Sequence, residues 1–593
     1  MLAILLRLVK DEFGMHLIIK HIMKYKIQFI LISVFSLIFF AGLYTGILPI
    51  KKVLSITSGK KVTPIEKIQQ GIPVKIPAEY INQNQYSLDI LHYDLDLDLY
   101  PDKRTISGTA EITGLLLNKD LKQINLNFYD NMHISSIKLN KKDASYVLKE
   151  TSLIIETGNM ETDTFKLRIT YEGTPKRAGL SAFVFGEINK KKLIYNLNEP
   201  NYASTWFPCN DIPNDKALLD ISITNDSIYT SVSNGILKDV KTAGMRRTYH
   251  WKTIYPISTY LICVYSAEYT NFSQQYISQD KADTMNIEYY VLPEHLENAK
   301  RDFEDHPKMI DFFAKTFGEY PFIKEKYGVA EFLWQMGAME HQTITGIGSN
   351  FVSGRKFYND IYIHELSHHW WGDAVGPASW KDIWLNEGFA TYSEALYFEG
   401  VSGKKALQST MRNKFQDNFT GILGEPGDYL FSTTVYDKGA WVLHMLRWEI
   451  GDQAFFKLLR EYFKLYKYKN ASTADFRELA ESVSGKKLDK FFEQWVYGKG
   501  IIRLEFKQEI NKENGKYIVN LDVSQVQKEY KEFHFPLEIE FVFKDKTIKR
   551  IKTEIDSIDK KISVEFEQKP ESIVPDPDSW LLASIKITNE DKK

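Results

Sequence analysis

Cysteine is nearly missing from this 593-residue chain, which holds only Cys209 and Cys263. Two thiols can build neither a disulfide framework nor a cysteine-based metal site, so stability rests on packing. Two free buried thiols and a single Cys209–Cys263 bridge both stay open, because sequence does not fix their separation. Long runs of one charge are also missing. Lys plus Arg (75) nearly balance Asp plus Glu (77), and basic residues gather only in pairs such as Lys51-Lys52 and Lys60-Lys61, which argues against a nucleic-acid partner. No repeat of solenoid period is visible. What is present is ordinary globular material, 44% apolar, 26% charged and 14% aromatic, which excludes wholesale disorder. The length exceeds one hydrophobic core and suggests about three to four domains.

One long uncharged run stands out. Ile27 to Ile50 carries no charge over 24 positions, enough at about 1.5 Å per helical residue to cross a hydrocarbon core of about 30 Å. Lys20, Lys24 and Lys26 precede it, which favours a cytoplasmic residue 1–26 segment and an exported remainder, at the cell surface or in the periplasm. The expectation is a single-pass membrane anchor. A cleaved signal read from Met23, giving a secreted protein, is the rival; it is weakened by the lack of an AxA site before Lys51 and of a cysteine for lipid.

The rest divides by periodicity into multidomain α+β architecture. Residues 51–78 read as a polar, Lys-rich tether. In His92 to Tyr100 leucines alternate with aspartates, the period of a half-buried strand, and similar short strands continue, predicting an all-β domain over 79–272. From 273 to 499 the period becomes helical, with helices expected at Leu296 to Phe317, Tyr358 to Trp371, Asp382 to Phe398, Lys438 to Ile450, Gln453 to Leu465 and Thr473 to Ser484. Asp382 stands as an amino-terminal cap, and Gly372, Gly400, Gly451 and Gly485 as stops. Alternation returns over 500–593, where Asn514-Gly515 between Arg503–Ile510 and Lys516–Val523 signals a hairpin.

The expected helix from Tyr358 to Trp371 holds His364-Glu365-Leu366-Ser367-His368. Residues four apart share a helix face, so both imidazoles can reach one ion while Glu365 flanks it. After eighteen intervening residues comes Glu387, within Asn386-Glu387-Gly388-Phe389-Ala390. Two His and one Glu suit one zinc ion and leave a fourth position for water, whose proton Glu365 can take and pass to a leaving amine. Glu394, two turns beyond Glu387, is either the carboxylate that orients a histidine ligand or a surface acid. His369 points elsewhere on the helix and reads as structural.

This HExxH with its distant Glu in NEGFA resembles the gluzincin aminopeptidases of the M1 family. Gly337-Ala338-Met339-Glu340-His341 is similar to that family's GxMEN substrate-binding motif, Asn198-Glu199-Pro200 matches its second amine-binding acid, and Tyr436 in Val435-Tyr436-Asp437-Lys438-Gly439 matches its oxyanion tyrosine. The resemblance covers approximately residues 80 to 500. It implies a β saddle-like first domain, a thermolysin-like catalytic domain and a C-terminal β-sandwich. It further implies peptide substrates with a free amino terminus, bound through Gly337, Ala338, Met339, Glu340 and Glu199, with Tyr436 stabilising the oxyanion. Two departures stand out. His341 replaces the usual Asn, and the chain ends without the helical carboxy-terminal domain of many members, so a more open site is expected. A catalytically inactive membrane-displayed scaffold on the same fold is the competing class, and another hydrolysis at the same metal, such as epoxide opening, the competing chemistry. Retention of His364, Glu365, His368, Glu387, Glu340 and Tyr436 speaks against the first, and no residue specifically supports the second.

Overall fold

The computed structural model describes residues 73–74 and 80–589, apart from 119, 159, 161, 181 and 189. The apolar run 27–50, the segment before it and most of the tether lie outside the described residues. Among the described residues no helix is long and apolar enough to cross a membrane.

The amino-terminal β domain is built on a nine-stranded sheet. The strand Leu88–Tyr100 lies inside it, antiparallel to Thr105–Leu116 and parallel to Lys216–Asp226. Its alternation works as read: Tyr93, Leu95, Leu97 and Leu99 are buried, while Asp94, Asp96 and Asp98 take the other face. A four-stranded sheet that includes Ala182–Ile188 and Lys191–Leu197 packs with it. Cys209 and Cys263 are buried in this domain as free thiols.

The middle region is helical but carries a five-stranded sheet that helical periodicity did not reveal. Its strand order is Thr270–Ile277, Thr284–Val291, Tyr327–Phe332, Thr345–Gly348, Ala338–Met339. Tyr327–Phe332 is buried at every position, so it lacks the alternation by which a strand is recognised. The helices are α1 (Leu296–Asp302), α2 (His306–Phe317), α3 (Asn359–Ser367), α4 (Trp384–Ser402), α5 (Lys404–Asn413), α6 (Gly439–Ile450), α7 (Asp452–Tyr466), α8 (Thr473–Ser484) and α9 (Asp489–Trp495). α5 and α9 are additional to the sequence reading, and the single helix expected over Leu296 to Phe317 is two. Pro307 opens the second, where a missing N–H costs nothing. The Asp302 carboxylate turns out of the first to accept from the N–H groups of Gly354 and Lys356.

Two expected boundary signals act elsewhere. Asp382 does not cap α4, whose amino terminus has no side-chain cap; its carboxylate accepts from the N–H and hydroxyl of Thr473, the first residue of α8. Gly400 does not stop α4. It lies within the helix, where a Cβ would collide with the Phe312 ring, and the stop is Gly403 at φ +78°.

The carboxy-terminal β domain is a four-stranded sheet and a three-stranded sheet. Asn514 and Gly515, both at positive φ, turn the Ile502–Glu513 and Lys516–Gln525 hairpin. Phe566 of the first sheet meets Phe541 and Phe543 of the second at ring distances of 4.7 and 5.2 Å.

Candidate active site and metal centre

α3 and α4 bring the expected ligands together. His364 and Glu365 lie in the last turn of α3, His368 caps its end, and Glu387 lies in the first turn of α4. The two Nε2 atoms of His364 and His368 are 3.1 Å apart, and each is 3.4 Å from Glu387 Oε2.

Each ring is turned by its other nitrogen. His368 Nδ1 donates to the Trp371 carbonyl at 2.9 Å, and His364 Nδ1 faces Glu394 Oε1 at 2.9 Å. A carbonyl and a carboxylate accept, so both Nδ1 atoms carry protons and both Nε2 atoms face the same point. Glu387 Oε2 is buried and has no hydrogen-bond donor of its own. With both Nε2 atoms deprotonated, the three groups present lone pairs that fit a bound cation, and two imidazoles with one carboxylate suit zinc. In the protein alone the same negative surroundings act on the imidazoles: although burial pulls it down, contact with Glu387 and Glu394 raises His364 to about 9. Burial pushes Glu387 up, yet His368 and His364 bring it down to about 2.

Behind His364, Lys414 Nζ holds the second Glu394 oxygen at 2.8 Å. Lys414 escaped the sequence reading because it lies just past α5 in no recognisable pattern. His369 is a core residue: it is fully buried, with its Nδ1 2.8 Å from the Tyr320 hydroxyl, which itself donates to the Lys326 carbonyl.

Glu199 and Glu340 reach the cleft from the ends of strands in two different sheets. Glu199 follows the strand Lys191–Leu197, beside Asn198, whose amide is pinned by the carbonyls of Thr259 and Ile262. Glu340 follows the short strand Ala338–Met339, which pairs with Gly346 and Ile347. One carboxylate oxygen from each of Glu199, Glu340 and Glu387 lies within 4.8 Å of the others. Glu199 Oε1 and Glu340 Oε1 are buried without partners. Burial, then repulsion from neighbouring carboxylates, raises Glu199; burial and Glu387 raise Glu340 against the pull of His368. Such a cluster calls for a cationic partner. His341 is buried at 0% exposure, with its Nδ1 2.6 Å from the Tyr265 hydroxyl. Burial lowers the ring to about 3, so it is neutral. Gly346 makes this contact possible, since a Cβ there would collide with the Tyr265 hydroxyl.

Tyr436 lies on a π-helical turn, Thr434–Lys438, that runs into α6. Its ring stacks on His364 with centroids 5.9 Å apart. Burial and the surrounding carboxylates raise its hydroxyl pKa, keeping it a donor at neutral pH. Gly388 and Gly439 let α4 and α6 cross closely, since a Cβ on Gly388 would lie 2.9 Å from the Gly439 Cα. Glu365 lines the same cleft with an unpartnered Oε2, and burial raises it to about 8. Together with Gly337, Ala338 and Met339 these groups line a cavity of about 340 Å³. Its remaining walls, Leu180, Leu197, Trp334, Met336 and Phe431, come from loops and strand ends that carried no motif.

An imidazole-carboxylate metal centre in a buried cleft, between an amino-terminal β domain and a helical domain, defines a metallohydrolase-like protein. Family models agree: residues 301–495 match the peptidase family M1 domain, and residues 89–261 match the peptidase M1 N-terminal domain. The chain belongs to peptidase family M1. It is 27% identical over 389 residues to probable aminopeptidase 2 of Sulfurisphaera tokodaii, covering 62% of this chain and 48% of that protein. It is 26% identical over 486 residues to glutamyl aminopeptidase of Rattus norvegicus, covering 73% and 50%. The chain therefore spans about half the length of these curated relatives. Among solved structures, a mutant M1 zinc metallopeptidase of Deinococcus radiodurans bound to a Tyr-Ser-Ala substrate superposes with a TM-score of 0.61 at 25% identity, over 70% of this chain and 95% of that one. Legionella pneumophila aminopeptidase A superposes with a TM-score of 0.76 over 87% and 61%, at 19% identity, a likeness of fold.

Proposed function

We propose that the protein is a zinc-dependent aminopeptidase that removes the first residue from peptides with a free amino terminus. The observation that carries this reading is the trio of buried carboxylates. Glu387 belongs to the metal centre, while Glu199 and Glu340 stand beside it with oxygens that no protein group satisfies. A peptide α-ammonium supplies the missing positive charge and fixes the first peptide bond next to the metal. An acylated amine or an internal bond supplies none.

His364, His368 and Glu387 hold the zinc, which when bound supplies Lewis acidity toward the scissile carbonyl and toward water. Glu365 takes the proton of the attacking water on its carboxylate; its burial favours holding that proton until the leaving amine accepts it. Tyr436 donates its hydroxyl to the carbonyl oxygen as negative charge develops there. Glu394, held by Lys414, keeps His364 turned with Nε2 inward. The apolar run at 27–50 supports placing this activity outside the cytoplasm on a single-pass anchor.

The test uses the full-length chain in isolated membranes. Activity should sediment with membranes through high-salt washing. Glu340→Gln and Glu199→Gln should each raise KM for a free-amine anilide at least about tenfold, the effect of one lost charged contact. Unchanged KM in both variants would remove the amine-binding role, and activity released by salt would remove the anchor.

A further inference from the structure

The cavity has one wall that the chemistry above leaves unused. Its polar lining is His364, His368 and Glu387 with Glu199, Glu340, Glu365 and Tyr436. The rest is Leu180, Leu197, Trp334, Met336, Met339 and Phe431 with Gly337 and Ala338, and among the described residues no Lys, Arg or Asp lines the cavity. We propose that this wall receives the side chain of the amino-terminal residue and selects large apolar residues such as leucine, methionine, phenylalanine and tyrosine over acidic and basic ones. The inference rests on the aminopeptidase reading and specifies its substrate.

A carboxylate on the first residue would be buried among apolar atoms with no cation to meet it, while Glu199 and Glu340 repel it. A cationic side chain could reach those two glutamates only by displacing the α-ammonium they hold. An apolar side chain leaves nothing unpaired and removes its own surface from water. Part of the wall is preformed. Leu197 ends a buried strand, Met339 is 3% exposed, and the Trp334 carbonyl is packed against Gly348, where a Cβ would collide with it. Met336, 62% exposed, and Phe431 close the wall from loops. Two thioethers adapt to both branched and aromatic shapes, so the selectivity is for apolar bulk rather than for one residue.

Anilides of Leu, Met, Phe, Ala, Glu and Lys should be compared on the zinc-loaded full-length chain. Leu, Met and Phe should exceed Glu and Lys in kcat/KM by about tenfold or more, with Ala between. Phe431→Ala, at a half-buried loop position, should lower kcat/KM for Phe more than for Ala. Met336→Arg, at an exposed position, should raise the Glu-to-Leu ratio. Glu or Lys cleaved as fast as Leu, or equal rates throughout, would overturn the pocket assignment while leaving the aminopeptidase reading intact. Cleavage of none of the six would overturn both.

Discussion

At the scale of single residues, the proposed metal centre is backed by groups outside the His364, His368 and Glu387 cluster. Glu394 accepts from His364 Nδ1 and is itself paired with Lys414, a chain that fixes which nitrogen of His364 faces inward. Glu394→Ala should weaken zinc affinity about 10- to 100-fold, the usual effect of losing such a support. Titration against a competing chelator reads this directly, and unchanged affinity would make Glu394 a bystander. The clustering of His364 and His368 was legible because they sit at helical spacing, so primary sequence carries their geometry. Glu394 was legible for the same reason, seven residues from Glu387 on one helix. Lys414, Trp334 and Phe431 were not, because each reaches the site from a loop whose path is set by tertiary packing.

At the scale of elements, the site depends on how close α4 and α6 come. Gly388 and Gly439 meet with no room for a Cβ, and the π-helical turn before Gly439 carries Tyr436. Inserting one methyl there should strain the packed crossing by about 1–3 kcal/mol. Gly439→Ala should therefore lower Tm and, by displacing the Tyr436 turn, reduce kcat more than it changes KM. Wild-type kcat at a lowered Tm would separate the crossing from catalysis. The same packing explains two misread signals. Gly400 resembled a helix stop, yet the space beside Phe312 requires it inside α4; Asp382 resembled a cap, yet it serves Thr473, a partner 91 residues away. Local sequence names a residue's capability, and long-range contacts decide where that capability is used.

At the scale of the whole molecule, the helical and carboxy-terminal domains are joined by polar contacts as well as apolar ones. His444 of α6 donates to the Ser579 carbonyl at 3.1 Å and stacks on Trp580. Asp578 is shared by Lys404 and Arg550. Burial lowers His444 to about 3. A histidine held neutral in the folded state but free to protonate when unfolded costs stability as pH falls below about 6.5, the ordinary histidine value, and the cost stops growing near pH 3. By pH 5 this amounts to about 2 kcal/mol. His444→Gln should therefore gain about that much stability relative to wild type between pH 7 and pH 5, measured by urea unfolding of the two proteins. A constant difference across that range would show that His444 does not stay neutral. Periodicity located the all-β and helical regions well, because each buries one face of regular elements. It overlooked the five-stranded sheet of the middle region, whose inner strands Tyr327–Phe332 and Thr345–Gly348 are buried throughout and whose edge strand Ala338–Met339 is too short to alternate.

The central claim is that an unmodified amine, held by Glu199 and Glu340, is what places a peptide bond at the metal. The most direct measurement compares leucine anilide with its N-acetylated form on the zinc-loaded full-length chain, before and after chelation. Cleavage of the free-amine substrate alone, abolished by chelation and restored by zinc, is expected; equal cleavage of the acetylated substrate would contradict the claim.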